Sequence, residues 1–444
     1  MKKVARQSVS ITLFVFLMMW GVGEITDLKL FNAFDGMSQA FKEFELTDIV
    51  FSQLREDPLV EERIVLVNIG NLSRREVAQQ INIIRQYNPR VIGIDSYFNC
   101  EGNLRDSINC PQLLDTLGNL MLAYEIEQAG NVVLVSKLLQ KSKTSLKEEF
   151  LDVYDSLELS DTLFNRKVKY GYANLITNPP AVHQDDIKQC RSFMPAYTSQ
   201  QEEYLAFAVQ VCMLFDSVKT KNFLARNKEE DLINYRGNVE IQDIRLQAIR
   251  NQATETTRYP LMFYAVDTDQ VFNRDFLEDF FKDKIVIMGF MGSYFGEFTW
   301  SDKYFTPLNK KPAGRANPDM FGVVVHANIV AMILNGDYVA EVPTWAEILI
   351  AILTCYFTVL LFMTIDQRLP NWYDALSVTI QVVQLLLISS IIVFAFAWFT
   401  VKLDLGLTLL ATALVGPSYD IYKGFQLEFS KRLTKYRQKV SKPE

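Results

Sequence analysis

Asp95 closes the apolar run VIGID (91–95), with Gly93 beside it, and the ends of buried parallel strands are where ligands tend to sit. A carboxylate there could face a ligand or cap a neighbouring loop, and both readings stay open. His326 and Asn328 fall in VVVHANIVAMILNG (323–336), at a strand-to-helix junction. The N-terminus of a helix could hold an anion there. The commoner arrangement is a His bonded to backbone and an Asn that caps the helix. Asp302, Thr306 and Pro307 lie in a stretch of about thirty residues, 291–320, that reads as one long loop. Loops that long inside a compact domain are usually functional or mobile, so this is the expected ligand- or partner-facing surface.

Signatures of catalysis are missing. The sequence has no GxSxG, no P-loop, no HExxH and no Cys–His pair at a workable spacing. Paired carboxylates such as Asp185-Asp186 fall in polar loops, where solvated charge is the default. Two His and no CxxC give little from which to build a metal site. The expectation is a protein with no catalytic residues, no metal and no cofactor. Cys100, Cys110, Cys190 and Cys212 lie in the long middle region, and Cys355 sits in an apolar segment as a small apolar residue. An even number suits disulfides in an oxidising compartment, although sequence does not fix the pairing. Cys100–Cys110 would close the short polar loop EGNLRDSIN and is the preferred bridge, contributing roughly 2–3 kcal/mol by chain entropy. Cys190–Cys212 is then left by elimination.

The elements that must position these residues alternate between strand and helix. RIVLVNI (63–69) reads as a buried strand, and Ser73 with Glu76 forms an S-x-x-E capping box. Val77, Ile81, Ile84 and Tyr87 give that helix its apolar face, and Asn88-Pro89 ends it. VIGID is the second strand, a helix near 111–129 follows, and VVLVSKL (132–138) is a third strand. A strand near 167–175, a helix at 199–215, a strand at 231–237 and a last strand, KDKIVIMGF (282–290), lead to a helix that ends at Gly336. Strands joined by helices of this length imply an α/β domain with a mostly parallel sheet covered on both faces. Upstream, Leu28, Phe31, Phe34, Met37, Phe41 and Phe44 recur at three- and four-residue steps, an amphipathic helix. Its apolar face packs on the domain or, alternatively, on a second copy in a homodimer.

Hydrophobic layout sets the outer organisation. A bilayer core needs roughly 20 apolar residues per helix. Residues 345–365 and 375–401 meet that, 405–421 is at the short limit and carries Pro417, and 8–23 is weaker but preceded by Lys2, Lys3 and Arg6. Seven basic residues lie beyond residue 421, from Lys423 to Lys442. Basic flanks are retained on the cytoplasmic side, so four crossings with both termini inside are expected. A cleaved signal peptide at Gly21-Val22-Gly23 is the alternative for the first segment. The divisions are then an anchor at 1–25, an extracytoplasmic domain at 26–343, three membrane helices within 344–421 and a basic tail at 422–444. Gln381 and Gln384, one turn apart in the third segment, suit hydrogen bonds between helices better than a transport site.

Charge supports the division. Taking the twelve basic and eight acidic residues outside 26–343 from the totals of 45 and 52 leaves 33 basic and 44 acidic, a net of −11. That argues against nucleic acid or anionic lipid as the ligand of the domain. The tail is the opposite; its basic run could lie on anionic lipid, or simply set topology.

KIVIMGF, then SDKYFTPL, then GVVVHANIVAMILNGDYV, then three apolar segments resemble the type-two CHASE domain, the cyclase/histidine-kinase-associated sensory extracellular domain of bacterial receptors. RIVLVNI, NPRVIGIDSYF, YGYANL, a polar stretch ending in Arg191 and INYRG come upstream in the order of that family. The resemblance covers nearly the whole sequence and includes the one leading and three trailing apolar segments. It departs at Gly70, where the family usually carries an acidic residue after the first strand, and in the expected lack of a cyclase or kinase output module. It implies a multi-pass sensor of the bacterial inner membrane whose periplasmic domain responds to a small ligand or an envelope protein. A separate cytoplasmic signalling protein would then receive the state through the membrane helices. The alternative is a non-catalytic scaffold subunit of an envelope membrane complex; an extracytoplasmic hydrolase comes a distant third.

Overall fold

A computed structural model describes residues 2–26, 45–98, 114–140, 154–178, 188–199, 202–239, 261–297, 299–309 and 317–440. Cys100, Cys110, Asp185, Asp186 and most of the expected amphipathic helix therefore lie outside the described residues. The chain divides into two compact units, Phe51–Val339 and the two flanking stretches together.

After a first helix, α1 (Lys2–Thr26), the middle unit alternates β1 (Ile64–Asn68), α2 (Arg74–Arg85), β2 (Val91–Asp95), α3 (Thr116–Ala129) and β3 (Val132–Gln140). Every residue of β1 is buried, as expected of a strand covered on both faces. Ser73 caps α2 with the predicted box: its side chain accepts from Glu76 N, and the Glu76 carboxylate accepts from Ser73 N at 2.8 Å. Next come β4 (Tyr154–Glu158), β5 (Val168–Tyr172), β6 (Ile176–Asn178) and β7 (Gln189–Phe193). A hairpin, β8 (Ala196–Ser199) and β9 (Glu202–Leu205), leads into α4 (Phe207–Phe215) and α5 (Ser217–Leu224). The helix expected at 199–215 is thus a strand followed by a helix. Residues 231–237 contribute only the short β10 (Asp231–Leu232), paired with β7.

The rest of the unit comprises β11 (Asn238–Val239), β12 (Leu261–Val266), α6 (Thr268–Asn273), β13 (Ile285–Gly289), β14 (Lys303–Tyr304), β15 (Met320–Phe321) and α7 (Gly322–Asn335). Gly336 ends α7 in the left-handed conformation, the predicted stop. The main sheet runs β11-β12-β1-β13-β2-β3-β4, with β5 sharing the outer edge of β3. All its pairings are parallel except β3 with β4. One face packs on α2, α3 and α6 through Ile92, Ile94, Val77, Ile81, Leu122 and Val271. The other meets α4 and α7. A Cβ on Gly93 would lie 2.9 Å from the Phe207 ring, and one on Gly289 would lie 2.7 Å from Val323 Cβ. The strand β12, which lies beside β1, has no counterpart in the elements expected from sequence.

In the flanking unit, β16 (Ala340–Glu341) precedes α8 (Thr344–Arg368), α9 (Tyr373–Phe399), β17 (Val401–Lys402) and α10 (Gly406–Val440). Two helices, Thr344–Arg368 and Pro370–Phe399, are long and apolar enough to cross a membrane. The expected count was four. The helix α10 runs through most of the tail expected after residue 421, which dilutes its apolar part with charge. Ile11, Val15 and Met19 of α1 pack with Cys355, Val359 and Phe362 of α8 and with Ala411 and Val415 of α10. As expected, both glutamines of α9 bond to neighbouring helices: Gln384 Nε2 donates to Thr358 Oγ1 at 3.0 Å, and Gln381 Nε2 to Thr412 O at 2.9 Å.

Candidate functional site

Gly289 and Asp95 pair in register at the C-terminal ends of β13 and β2. Side chains alternate along a strand, and Ile92 and Ile94 face α2 and α3. Asp95 therefore shares with Gly93 the face covered by α4 and α7. Asp302 reaches the same edge from the loop after β13. Its φ of +53° is left-handed, and its carbonyl accepts from Gly322 N at 2.9 Å. Its carboxylate lies against Gly322 at the start of α7, where a Cβ would meet both oxygens at 3.0 Å.

Burial raises the carboxyl of Asp95 well above the ordinary range. It does the same for Asp302, with the charge of Asp95 adding to the effect and Lys188 opposing it. The charge of Asp95 thus adds to burial in disfavouring ionisation of Asp302. Burial, with the charge of Asp302, also pushes the neighbouring Tyr304 phenol up, and Lys188 Nζ lies 5.7 Å from its ring. A third carboxyl, Asp319, is pushed up to about 7, because burial outweighs the hydrogen bonds it accepts. Asp95, Asp302, Tyr304 and Asp319 are all half-buried. The edge is thus desolvated enough to tune its acids and open enough to be reached.

A family profile described as the CHASE2 domain matches residues 10–362. The chain belongs to the CHASE2 domain family. Members are extracellular sensory domains, and the match runs from within α1, across the sheet unit, into α8. No curated protein and no solved structure matches the chain.

Within this CHASE2 domain, the residues singled out from sequence separate into two groups. Asp95 and Asp302 come together. Thr306 is engaged elsewhere: its N and Oγ1 both donate to the Asp319 carboxylate, the first at 2.8 Å. Asn328 is a structural bracket, accepting from Arg236 N at 3.0 Å and donating to Gly237 O at 2.9 Å. His326 is fully buried, with its ring edge-on to Phe207 at 5.2 Å and no hydrogen-bond partner for Nδ1 among the described residues. Burial lowers it to about 4, so it is neutral. Neither residue caps α7 or sits at its start, because Phe321 is the N-cap and both lie in the second turn.

The pairing of Cys190 with Cys212 is also corrected. Both are free, buried thiols, one on β7 and one on α4. Their Sγ atoms lie 3.8 Å from the carbonyls of Ser192 and Val330 respectively, and burial raises both thiols. An even count does not compel pairing when each thiol fills its own apolar niche. The stretch 291–320 is only partly an open surface. Phe305, Thr306, Leu308 and Asn309 are buried, β14 pairs with β15, and Tyr294 and Trp300 are exposed.

Sequence reasoning passed over Asp319, Tyr304, Lys188, Asn68 and Asp267. Asn68 ends β1 and donates to Asp267 Oδ1 at 2.8 Å and to Gly292 O at 2.9 Å, while Asp267 accepts from Phe295 N at 2.8 Å. These bonds tie the start of the loop to the ends of β1 and β12. A usable signal existed, since Asn68, Asp95 and Asp267 are each the first polar residue after an apolar strand run. Among the described residues, no group of three or more His, Cys, Asp or Glu side chains could hold a metal ion.

Proposed function

We propose that the chain is a multi-pass sensor of the bacterial inner membrane, and that its CHASE2 unit takes a small polar ligand at the edge formed by Asp95 and Asp302. The single observation that carries this is the half-buried carboxyl pair at the C-terminal end of the parallel strands. Carboxyls kept protonated by burial can donate as well as accept hydrogen bonds, and binding would shift their protons. The protein is non-catalytic in this reading and uses no cofactor. The test is a panel of small polar compounds added to the full-length protein in detergent, read by melting midpoint. A compound that raises the midpoint of the wild type, but not of Asp95→Asn or Asp302→Asn, supports the site. A rise unaffected by either substitution places the ligand elsewhere.

Topology is part of the same proposal: α1 and α10 cross with α8 and α9, both termini are cytoplasmic, and the sheet unit is periplasmic. The shared apolar core of α1, α8 and α10 and the basic flanks support it. Cysteine labelling should reach an introduced residue at 163 from outside and one at 427 only after lysis. External labelling at 427 would refute the arrangement.

The output would be read by a separate cytoplasmic protein at loop 366–374 and the basic tail. Seven residues (337–343) separate Gly336 from Thr344, a short connection through which movement could pass. Inserting about ten Gly/Ser residues there should uncouple ligand from output without blocking insertion. One observation favours the scaffold reading: Leu117, Leu120 and Tyr124 make an exposed apolar stripe along α3. Stoichiometric recovery of other envelope proteins, lost on Leu120→Glu, would favour that role.

A further inference from the structure

The helix α10 contains Pro417, which has no N–H to give to Ala413 O four residues earlier. In the membrane-crossing arrangement proposed above, on which this inference rests, a carbonyl left open in this way is costly because lipid offers it no donor. The donor comes from another helix: Gln381 Nε2 of α9 lies 3.1 Å from Ala413 O and 2.9 Å from Thr412 O. Gly416 makes the room, since a Cβ there would stand 2.7 Å from Gln381 Oε1. Three residues on two helices therefore meet at one point, each with a separate part in it.

We propose that Gln381, Gly416 and Pro417 form a joint in which the amide of α9 stands in for the backbone hydrogen bond that Pro417 deletes from α10. Removing one i→i−4 bond makes α10 easiest to bend at this place. The Gln381 amide then ties that bend to α9, and Gln384 ties α9 to α8 through Thr358, so the three helices are linked within one turn of α9. The part of α10 beyond Pro417 leads toward the C-terminal end of the chain and takes its direction from the joint. The joint belongs to α9 and α10 whatever the sheet unit binds.

A double-mutant cycle on the full-length protein in detergent tests this, read as the melting midpoint. Gln381→Leu should lower the midpoint of the wild type by a few degrees. In a Pro417→Ala background, where residue 417 regains its N–H and closes the ladder, the same substitution should lower the midpoint clearly less, since only the bond to Thr412 O is then lost. Gly416→Ala should lower the midpoint by displacing the amide and should not add to Gln381→Leu. If Gln381→Leu does not accumulate, Gln381→Asn, which keeps the amide but loses its reach, takes its place in the cycle. Equal losses in both backgrounds, or no loss in the wild type, overturn the joint.

Discussion

Asn328 holds Gly237 by both ends of its peptide unit, donating from Nδ2 to the carbonyl at 2.9 Å and accepting at Oδ1 from the N–H at 3.4 Å. The same amide accepts from Arg236 N and donates to Val324 O within its own helix. A buried amide satisfied on every side fixes a segment that lacks a long ladder of its own. Asn328→Ala leaves backbone groups at 236–237 without partners and should cost about 1–3 kcal/mol. The loss should appear as a lower midpoint in chemical denaturation. Asn328→Asp should be destabilising as well, because a carboxylate has no donor for Gly237 O.

The carboxyls at the sheet edge make stability fall as pH rises. Their folded values are raised above the ordinary carboxylate value, in Asp319 to about 7, so between about 4 and 7 the native state holds protons that the unfolded chain releases. That contribution is complete in acid and disappears as pH rises through the folded values. Asp302→Asn should therefore raise the melting midpoint at pH 8 and change it little near pH 4. A variant as pH-sensitive as the wild type would mean that Asp302 is not one of the groups responsible.

His326 acts with the opposite sign. Burial holds it near 4 against an ordinary value of 6.5, so the unfolded chain binds the proton first. Its contribution is complete above 6.5 and is lost as pH falls through 4. Replacing it by Phe, which keeps a ring against Phe207, should reduce the loss of stability in acid. Both effects fall between about pH 4 and 7 with opposite signs, so melting midpoints of the His326→Phe variant and the wild type are compared at each pH, where their difference reports His326 alone.

The cysteines give a chemical check. Cys190, pushed up to about 12, and Cys212 are buried thiols, so neither should react with a thiol reagent until the protein unfolds. Non-reducing peptide mapping should find both unpaired and join Cys100 to Cys110. A recovered peptide linking Cys190 to Cys212 would contradict the structure directly.

The strands IVLVN, VIGID and IVIMG were legible because β-branched runs of that length, bounded by turn residues, have few other uses. Ser73, Glu76 and Gly336 announced helix ends for reasons that lie within a few residues of chain. β12 was overlooked although Leu261–Val266 is an unbroken apolar run; such a run suits a strand or a turn of buried helix, and pairing with β1 nearly 200 positions away decides it. The hairpin before α4 was missed for a related reason. Its two strands stabilise each other, and neither has a pattern of its own.

By itself the sequence determined the periodic features: an α/β unit, apolar helices after it, and glutamines in α9 that need partners on other helices. Local chemistry is enough for these, because propensity, capping and hydrophobic period act over one or two turns. Tertiary structure alone decided which polar groups meet. Asp95 and Asp302 are over 200 residues apart, and only the placement of β2 beside β13 and the left-handed turn at Asp302 bring them to one edge. It also decided that Cys190 and Cys212 stay apart, and that Gln381 faces the carbonyl freed by Pro417. Burial and distance set the chemistry of such groups, and both are properties of the packed chain.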